Sequence, residues 1–365
     1  MSIQTDLKKE GIVVIEQLDK NKANSIVKNI SRRIIETFPG YNFTEEELLN
    51  RFSKLAMYRA KMIEGMAEAN YYFKNTSIYF NEHIDFEDLE EFAIHECIHF
   101  LQEIKDDKNN LLKMGLCSYK NNKPIGLSLN EAAVQYTAST IIGIEPDFEK
   151  YYNILLYTPS PSYYPLECSL LNQMLYFTGK DILFKSTLFS NDDFKNLIIE
   201  MSSEKIYNKI QILFDEILKT EEKVIKLNNK ISLLEDGSLK IDKLNSKINK
   251  LKDKIASDYI ATQNIIIKNF FDYEFNKISN LEELEIFRRR LYKYSNIIGA
   301  TQDYKFFDNY YVETMNKLEH KCNILENGGT ETALARKHTN PLVEFLKKIF
   351  KINFTKNDLS NDKLK

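Results

Sequence analysis

Isoleucine or valine recurs at every seventh position through Ile210, Ile217, Val224 and Ile231, with Leu213, Leu227 and Leu234 three residues after three of them. Beyond Glu235-Asp236-Gly237-Ser238 the spacing resumes at Ile241, Ile248 and Ile255, with Leu244 and Leu251. A seven-residue apolar repeat makes a continuous face only on a helix. Two such seams joined by a tight Asp-Gly turn predict an antiparallel coiled-coil hairpin over 204–275. Two readings of the hairpin stand: an arm projecting from a globular body, and an ordinary pair of bundle helices. Composition extends the helical expectation to the rest of the chain, because 11 Gly and 7 Pro in 365 residues leave few breakers.

The expected fold class is α+β, predominantly α-helical, with a small β element and the hairpin inserted into a larger domain. Residues 1–66 read as helical. Ile26, Ile30, Ile34 and Ile35 share a face, Pro39-Gly40 stops the run, and Thr44 before Glu45-Glu46-Glu47 predicts a capped second helix through Met62. Tyr71, Phe73, Ile78 and Phe80 among polar residues predict a strand or a hairpin over 69–82. A helix from Phe86 to Ile104 capped by Asp85, a strand over Met114–Tyr119 and a helix from Ser128 toward Ile142 follow. Residues 147–200 read as further helices broken at Pro159-Ser160-Pro161. The division expected is 1–203, the main domain; 204–275, the hairpin; 276–326, helices packing on the first domain; and 327–365, a linker, an amphipathic helix and a polar tail. In the tail, Leu342, Phe345, Leu346, Ile349 and Phe350 share a face beside Lys347, Lys348 and Lys351. Segment 341–354 is therefore read either as docking on its own domain or as a membrane-surface or protein contact.

Charge and cysteine usage narrow the function classes. Lys+Arg 50 against Asp+Glu 53 leaves a net charge of −3, which argues against nucleic acid as the partner. Cys97, Cys117, Cys168 and Cys322 show neither zinc-ribbon nor disulfide-framework spacing. The polar residues Met1 to Glu10 lack the apolar core of a signal peptide, and no 18-residue apolar run occurs. A cytoplasmic protein is the expectation, with delivery by another route left open. Oligomeric state is not legible.

The chemistry lies in His95-Glu96-Cys97-Ile98-His99, an HExxH pattern within the apolar run Phe92, Ile94, Ile98 and Leu101. On a helix the two imidazoles stand one turn apart and reach a single ion, while Glu96 on the neighbouring edge can touch a water without ligating the metal. With only 5 histidines in the chain, composition produces this pattern by chance roughly 0.006 times. The competing account is a pair of structural histidines on a buried helix. Cys97 faces away from both and reads as a small buried apolar residue.

These residues resemble the zincin metallopeptidases. The extended metzincin form is excluded, because Gln102 and Lys105 stand where it needs Gly and His. The gluzincin form takes a Glu from a later helix, and Asn130-Glu131-Ala132-Ala133 resembles its second motif. The resemblance implies one Zn²⁺ per chain held by His95, His99 and Glu131, with Glu96 as general base toward a metal-activated water, and a peptide or protein substrate. It also implies that the Thr76–Asn81 strand is the sheet edge that pairs with substrate. A rival reading makes Ser128 and Glu131 a capping box. His83, Glu103, Glu145 and Glu167 are the other possible third ligands. Gln135 stands where many gluzincins have an Asp that orients a histidine. For the oxyanion, Tyr292, three residues after Arg289, and Tyr136 are the candidates. His320 and His338 read as surface residues. A different function keeps the same site: a catalytically inactive zincin-like protein whose hairpin and tail bind a partner.

Overall fold

The computed structural model describes residues 3–62, 68–120, 123–234, 239–301 and 304–326. Helices α1 (Ile3–Lys9) and α2 (Lys20–Thr37) flank strand β1 (Val13–Gln17). Asp19 caps α2 by accepting the Asn21 N–H at 2.9 Å, and the Ile26, Ile30 and Ile34 stripe is buried, as the spacing predicts. Helix α3 (Glu45–Phe52) starts at the expected cap, with Thr44 Oγ1 accepting the Glu47 N–H at 3.1 Å. It stops at Phe52 instead of running to Met62. The chain turns into β2 (Ala56–Lys61), then β3 (Ala69–Tyr72) and β4 (Ser77–Asn81), which form a sheet in the order β1-β2-β4-β3. The all-helical expectation for 1–66 is thus corrected at β1 and β2. Their partners lie more than fifteen residues away, and local periodicity carries no trace of such pairing. The antiparallel β3–β4 hairpin is as expected, but β4 is central, flanked by β2 and β3, so the edge strands are β1 and β3 and not Thr76–Asn81.

Helix α4 (Leu89–Leu101) carries the HExxH residues; it begins three residues late, with Asp88 rather than Asp85 at its cap. An antiparallel meander follows, β5 (Glu103–Lys105), β6 (Leu111–Met114), β7 (Cys117–Lys120) and β8 (Lys123–Ile125), leading into α5 (Leu127–Ile142). The stretch expected to continue as helix instead forms a hairpin, β9 (Asp147–Tyr151) and β10 (Ile154–Thr158). Its turn residues Tyr152 and Asn153 both take positive φ, 46° and 62°. That is the conformation of a two-residue hairpin turn, here without the glycine that would have announced it. Helices α6 (Pro165–Thr178) and α7 (Lys180–Phe189) then pack against α5, and α8 (Asp193–Met201) packs against α6 and α7.

The heptad segment forms two long helices, α9 (Glu204–Ser232) and α10 (Leu239–Lys277). The Glu235–Ser238 turn expected between them lies outside the described residues. Lys254 reaches Glu216 at 3.9 Å, a pairing that fits antiparallel helices. On α9 the buried stripe is Tyr207, Ile210, Phe214, Ile217, Glu221, Val224 and Leu227, so the alternate seam falls at Phe214 and Glu221 rather than at Leu213. The apolar members of this stripe, with Ile248, Ile255 and Tyr259 of α10, belong to the same apolar core as α2, α4, α5 and α6.

The chain divides into two compact units, Met1–Tyr273 with Lys293–Tyr304, and Glu274–Tyr292 with Lys305–Lys365. The second contains the first turns of α11 (Leu281–Tyr294) and all of α12 (Phe306–Glu326). It packs Phe275 against Phe287 edge-on at 5.8 Å and pairs Arg290 with Glu274 at 2.7 Å. The expected linker and the amphipathic segment 341–354 lie outside the described residues. The architecture is therefore α+β with helix dominant. No helix among the described residues is long and apolar enough to cross a membrane.

Candidate metal centre

Helix α4 is apolar on nearly every side. Leu89, Ala93, Ile94, Cys97 and Ile98 are all fully buried, which fixes the rotation of the helix in the core. That rotation sets His95 and His99 toward α5, with their Nε2 atoms 3.0 Å apart. From α5, Glu131 Oε2 stands 3.3 Å from each of those nitrogens. Four-coordinate zinc binds nitrogen and oxygen at about 2.0–2.1 Å, which places neighbouring tetrahedral ligands about 3.3–3.4 Å apart. The triangle of Nε2, Nε2 and Oε2 has the size of one face of that tetrahedron. His95, His99 and Glu131 are the one group of three potential metal ligands of this kind among the described residues.

Glu131 is not a helix cap. Helix α5 starts at Leu127 with Gly126 at its cap, so Ser128 already lies inside the helix. The Ser128 N–H donates to Asp215 Oδ1 of α9 at 3.0 Å, and the Glu131 carboxylate faces the imidazoles instead. Gly126 has φ +74°, and a side chain there would also collide with Gln211 of α9.

The α4–α5 spacing is held by a buried amide pair. Gln102, at the end of α4, donates from Nε2 to Asn130 Oδ1 at 3.4 Å and accepts from Asn130 Nδ2 at 3.3 Å. Asn130 Oδ1 also accepts the Leu116 N–H at 2.9 Å. Gly115 sits so close to this pair, at φ +57°, that any Cβ would strike both amides. The pair joins the residue three beyond His99 to the residue just before Glu131.

Around the ligands, Gln135 does what the sequence reading asks of it. Its Oε1 lies 2.9 Å from His95 Nδ1, and its Nε2 donates to Ser139 Oγ at 3.4 Å. With the amide so oriented, Nδ1 carries the imidazole proton and the Nε2 lone pair is left for a metal. Burial opposes charge on His99, but the Glu131 carboxylate outweighs it and lifts the imidazole to about 9. Burial likewise opposes charge on Glu131, and the two imidazoles override it, holding the carboxyl well below the usual range. In the metal-free cluster the His99 imidazolium and the Glu131 carboxylate therefore offset each other's charge.

Glu96 is buried, 7% exposed, and its Oε2 accepts the Tyr71 N–H of edge strand β3 at 2.7 Å. Sequence reasoning missed Tyr164. Its ring stacks on His95 at 6.1 Å and 19°, and it sits at φ +51° immediately before Pro165. Burial, then Glu131 and Glu96, push its hydroxyl well up, so it stays protonated. The only hint in the sequence was the Tyr-Pro step, because a residue before proline is a frequent break between elements.

The other candidates fall elsewhere. His83 pairs with Glu68 at 2.7 Å on the surface, and Glu103 pairs with Lys105 at 2.6 Å and accepts from Tyr71 Oη at 2.8 Å. Glu145 is exposed, and Glu167 is buried outside the cluster. Tyr136 donates to Asn172 Oδ1 at 2.9 Å, and Tyr292 belongs to the second unit. Cys97 is fully buried, and burial pushes its thiol up, in keeping with a packing role. Set against family models, curated proteins and solved structures, the chain matches none.

Proposed function

We propose that this chain is a zinc-dependent metallopeptidase of the zincin type, gluzincin-like, that hydrolyses peptide bonds in a peptide or protein substrate. The observation that carries the reading is the His95–His99–Glu131 triangle, with edges of 3.0, 3.3 and 3.3 Å. It brings two helices together around two nitrogens and one oxygen, the donor set of catalytic rather than closed structural zinc sites. The three residues would hold one Zn²⁺, which when bound supplies Lewis acidity to polarise a carbonyl and to acidify water.

The remaining work falls to the chain. Glu96, its Oε2 already engaged by the Tyr71 amide, uses Oε1 to take a proton from the attacking water and to return it to the leaving amine. Tyr164, protonated and set against His95 and Glu131, is the donor for negative charge developing on the carbonyl oxygen. Gln135 holds the His95 ring in the tautomer that leaves Nε2 free to ligate.

Zinc content per chain, measured by elemental analysis on wild type, Glu131→Ala and Glu96→Gln, tests this reading together with hydrolysis of a denatured protein substrate. The expected pattern is one zinc in wild type, none in Glu131→Ala, and one zinc in Glu96→Gln with activity down about 10²–10⁴-fold. A folded wild type that takes up no supplied zinc overturns the reading. Zinc with equal activity in Glu96→Gln removes the peptidase mechanism and leaves a metal-binding protein.

A further inference from the structure

Two carboxylates hold one residue of a sheet edge. Strand β3 pairs within its sheet on one side only, with β4, so its other side depends on contacts from outside the sheet. The Tyr71 N–H lies on that side and donates to Glu96 Oε2 at 2.7 Å. The Tyr71 hydroxyl donates to Glu103 Oε1 at 2.8 Å. Glu103 stands on β5, the strand that follows α4, so one continuous segment supplies both acceptors. Its second oxygen, Oε2, is 2.6 Å from Lys105 Nζ, and that ammonium also donates to the Phe73 carbonyl at 3.3 Å. The Tyr71 ring meets Phe100 of α4 edge-on at 5.9 Å.

The Glu103 side chain is 9% exposed and that of Lys105 19%, so this pair is held more firmly than an ion pair free in water. Burial, then Glu103, push the Tyr71 hydroxyl well up, which keeps it a donor. A glutamate carboxylate turns about its last torsion at little cost. One N–H bond to Oε2 takes that freedom from Glu96 and leaves Oε1 as the oxygen for proton transfer. The N–H is only as well placed as the edge strand that carries it. We infer that Glu103, braced by Lys105, is a positioning residue: it pins Tyr71, so that the Tyr71 N–H orients the Glu96 carboxylate. Its effect on rate rests on the metallopeptidase reading, whereas the pinning is a property of the metal-free chain.

The test compares Tyr71→Phe, Glu103→Ala and Glu103→Gln in the full, zinc-loaded chain on denatured casein, with zinc content and circular dichroism checked in each. Tyr71→Phe and Glu103→Ala should lower kcat about 10–100-fold with KM and zinc content unchanged, as for a reacting group set slightly out of line. Glu103→Gln keeps an acceptor for the hydroxyl and should recover most of the rate. In a Glu96→Gln background, Tyr71→Phe should cost nothing further, because no base is left to orient, whereas a purely structural loss would add in full. Unchanged kcat in Tyr71→Phe, a rise in KM alone, or a full additional loss in the Glu96→Gln background overturns the positioning role. A second readout needs neither metal nor activity. With heavy nitrogen placed only in tyrosine, the Tyr71 amide is the signal missing from Tyr71→Phe, and its hydrogen exchange should quicken about tenfold in Glu103→Ala. An unchanged exchange rate there overturns the pinning. If wild type hydrolyses nothing, the peptidase reading falls by itself, and the faster exchange still upholds the hold of Glu103 on Tyr71.

Discussion

Helices α4 and α5 bring ligands to one point by opposite means. On α4 the two ligands are four residues apart on one rod, so helix geometry alone sets their spacing, and an apolar surface on almost every side holds the rod in the core. On α5 a single ligand depends on how that helix is placed. Its placement rests on polar contacts: the Gln102–Asn130 amide pair, the Asp215 carboxylate at its first turn, and the glycine that lets α9 approach. Half of the site is therefore insensitive to its tertiary surroundings. The other half is only as accurate as a few buried hydrogen bonds, each worth about 0.5–1.5 kcal/mol.

The contrast is sharpest in the metal-free protein, where Glu131 sets the charge of α4. His99 is raised to about 9 from 6.5, against burial, by the Glu131 carboxylate. Its folded pKa lies above the reference value, so the imidazolium–carboxylate pair stabilises the metal-free protein fully below pH 6.5 and is lost as pH rises through about 9. A metal ligand must be the neutral imidazole. Zinc uptake at neutral pH therefore releases a proton, and apparent zinc affinity should rise about tenfold per pH unit from 7 to 9, roughly 100-fold in all. Competition with a chelating dye across that range measures it. In Glu131→Gln the slope should disappear above about pH 6.5, alongside the weaker affinity. A slope that persists in the variant would mean that something other than α5 charges His99.

A smaller effect is expected at Gln135, which belongs to α5 but serves a ligand on α4. Gln135→Leu keeps the bulk and removes the acceptor at His95 Nδ1. Loss of such an outer contact weakens metal binding about 10–100-fold, and zinc competition titrations read it directly. An unchanged affinity would mean that packing of α4 alone orients His95, and the contrast between the helices would then be stronger still.

The same contrast explains what was legible in the sequence. His95, Glu96 and His99 could be read because their relation is local to one helix. Thr44 is likewise local, a cap acting within three residues. The heptad positions Ile210, Ile217 and Val224 were legible because a repeat is its own context. Glu131 could be nominated but not separated from a capping box, since the deciding fact is Asp215, which bonds Ser128 from 87 residues away. Strands β1 and β2 were hidden because sheet pairing is non-local, and the β9–β10 hairpin because Tyr152 and Asn153 turn without glycine. Tyr164 was one tyrosine among 21, and only the approach of α6 to α4 singles it out. The Phe214–Glu221 register of α9 was missed because its neighbours are α5 and α8 as well as its heptad partner, which widens the buried stripe.

The smallest effect tests whether α9 truly holds α5. Asp215→Ala removes the acceptor for the Ser128 N–H in the first turn, where no local side chain can replace it because Gly126 is the cap. The loss of a first-turn acceptor typically costs about 1 kcal/mol, near fivefold in the folded-to-unfolded ratio. Thr44→Ala, which removes a cap of the same kind from α3, should cost a similar amount in urea unfolding. The two variants should part on zinc. Asp215→Ala loosens the helix that presents Glu131 and should lower zinc affinity by less than Gln135→Leu does, whereas Thr44→Ala should leave affinity unchanged. Equal zinc affinity in both would show that the amide pair between Gln102 and Asn130 is enough to place Glu131, and that α9 adds stability without adding precision.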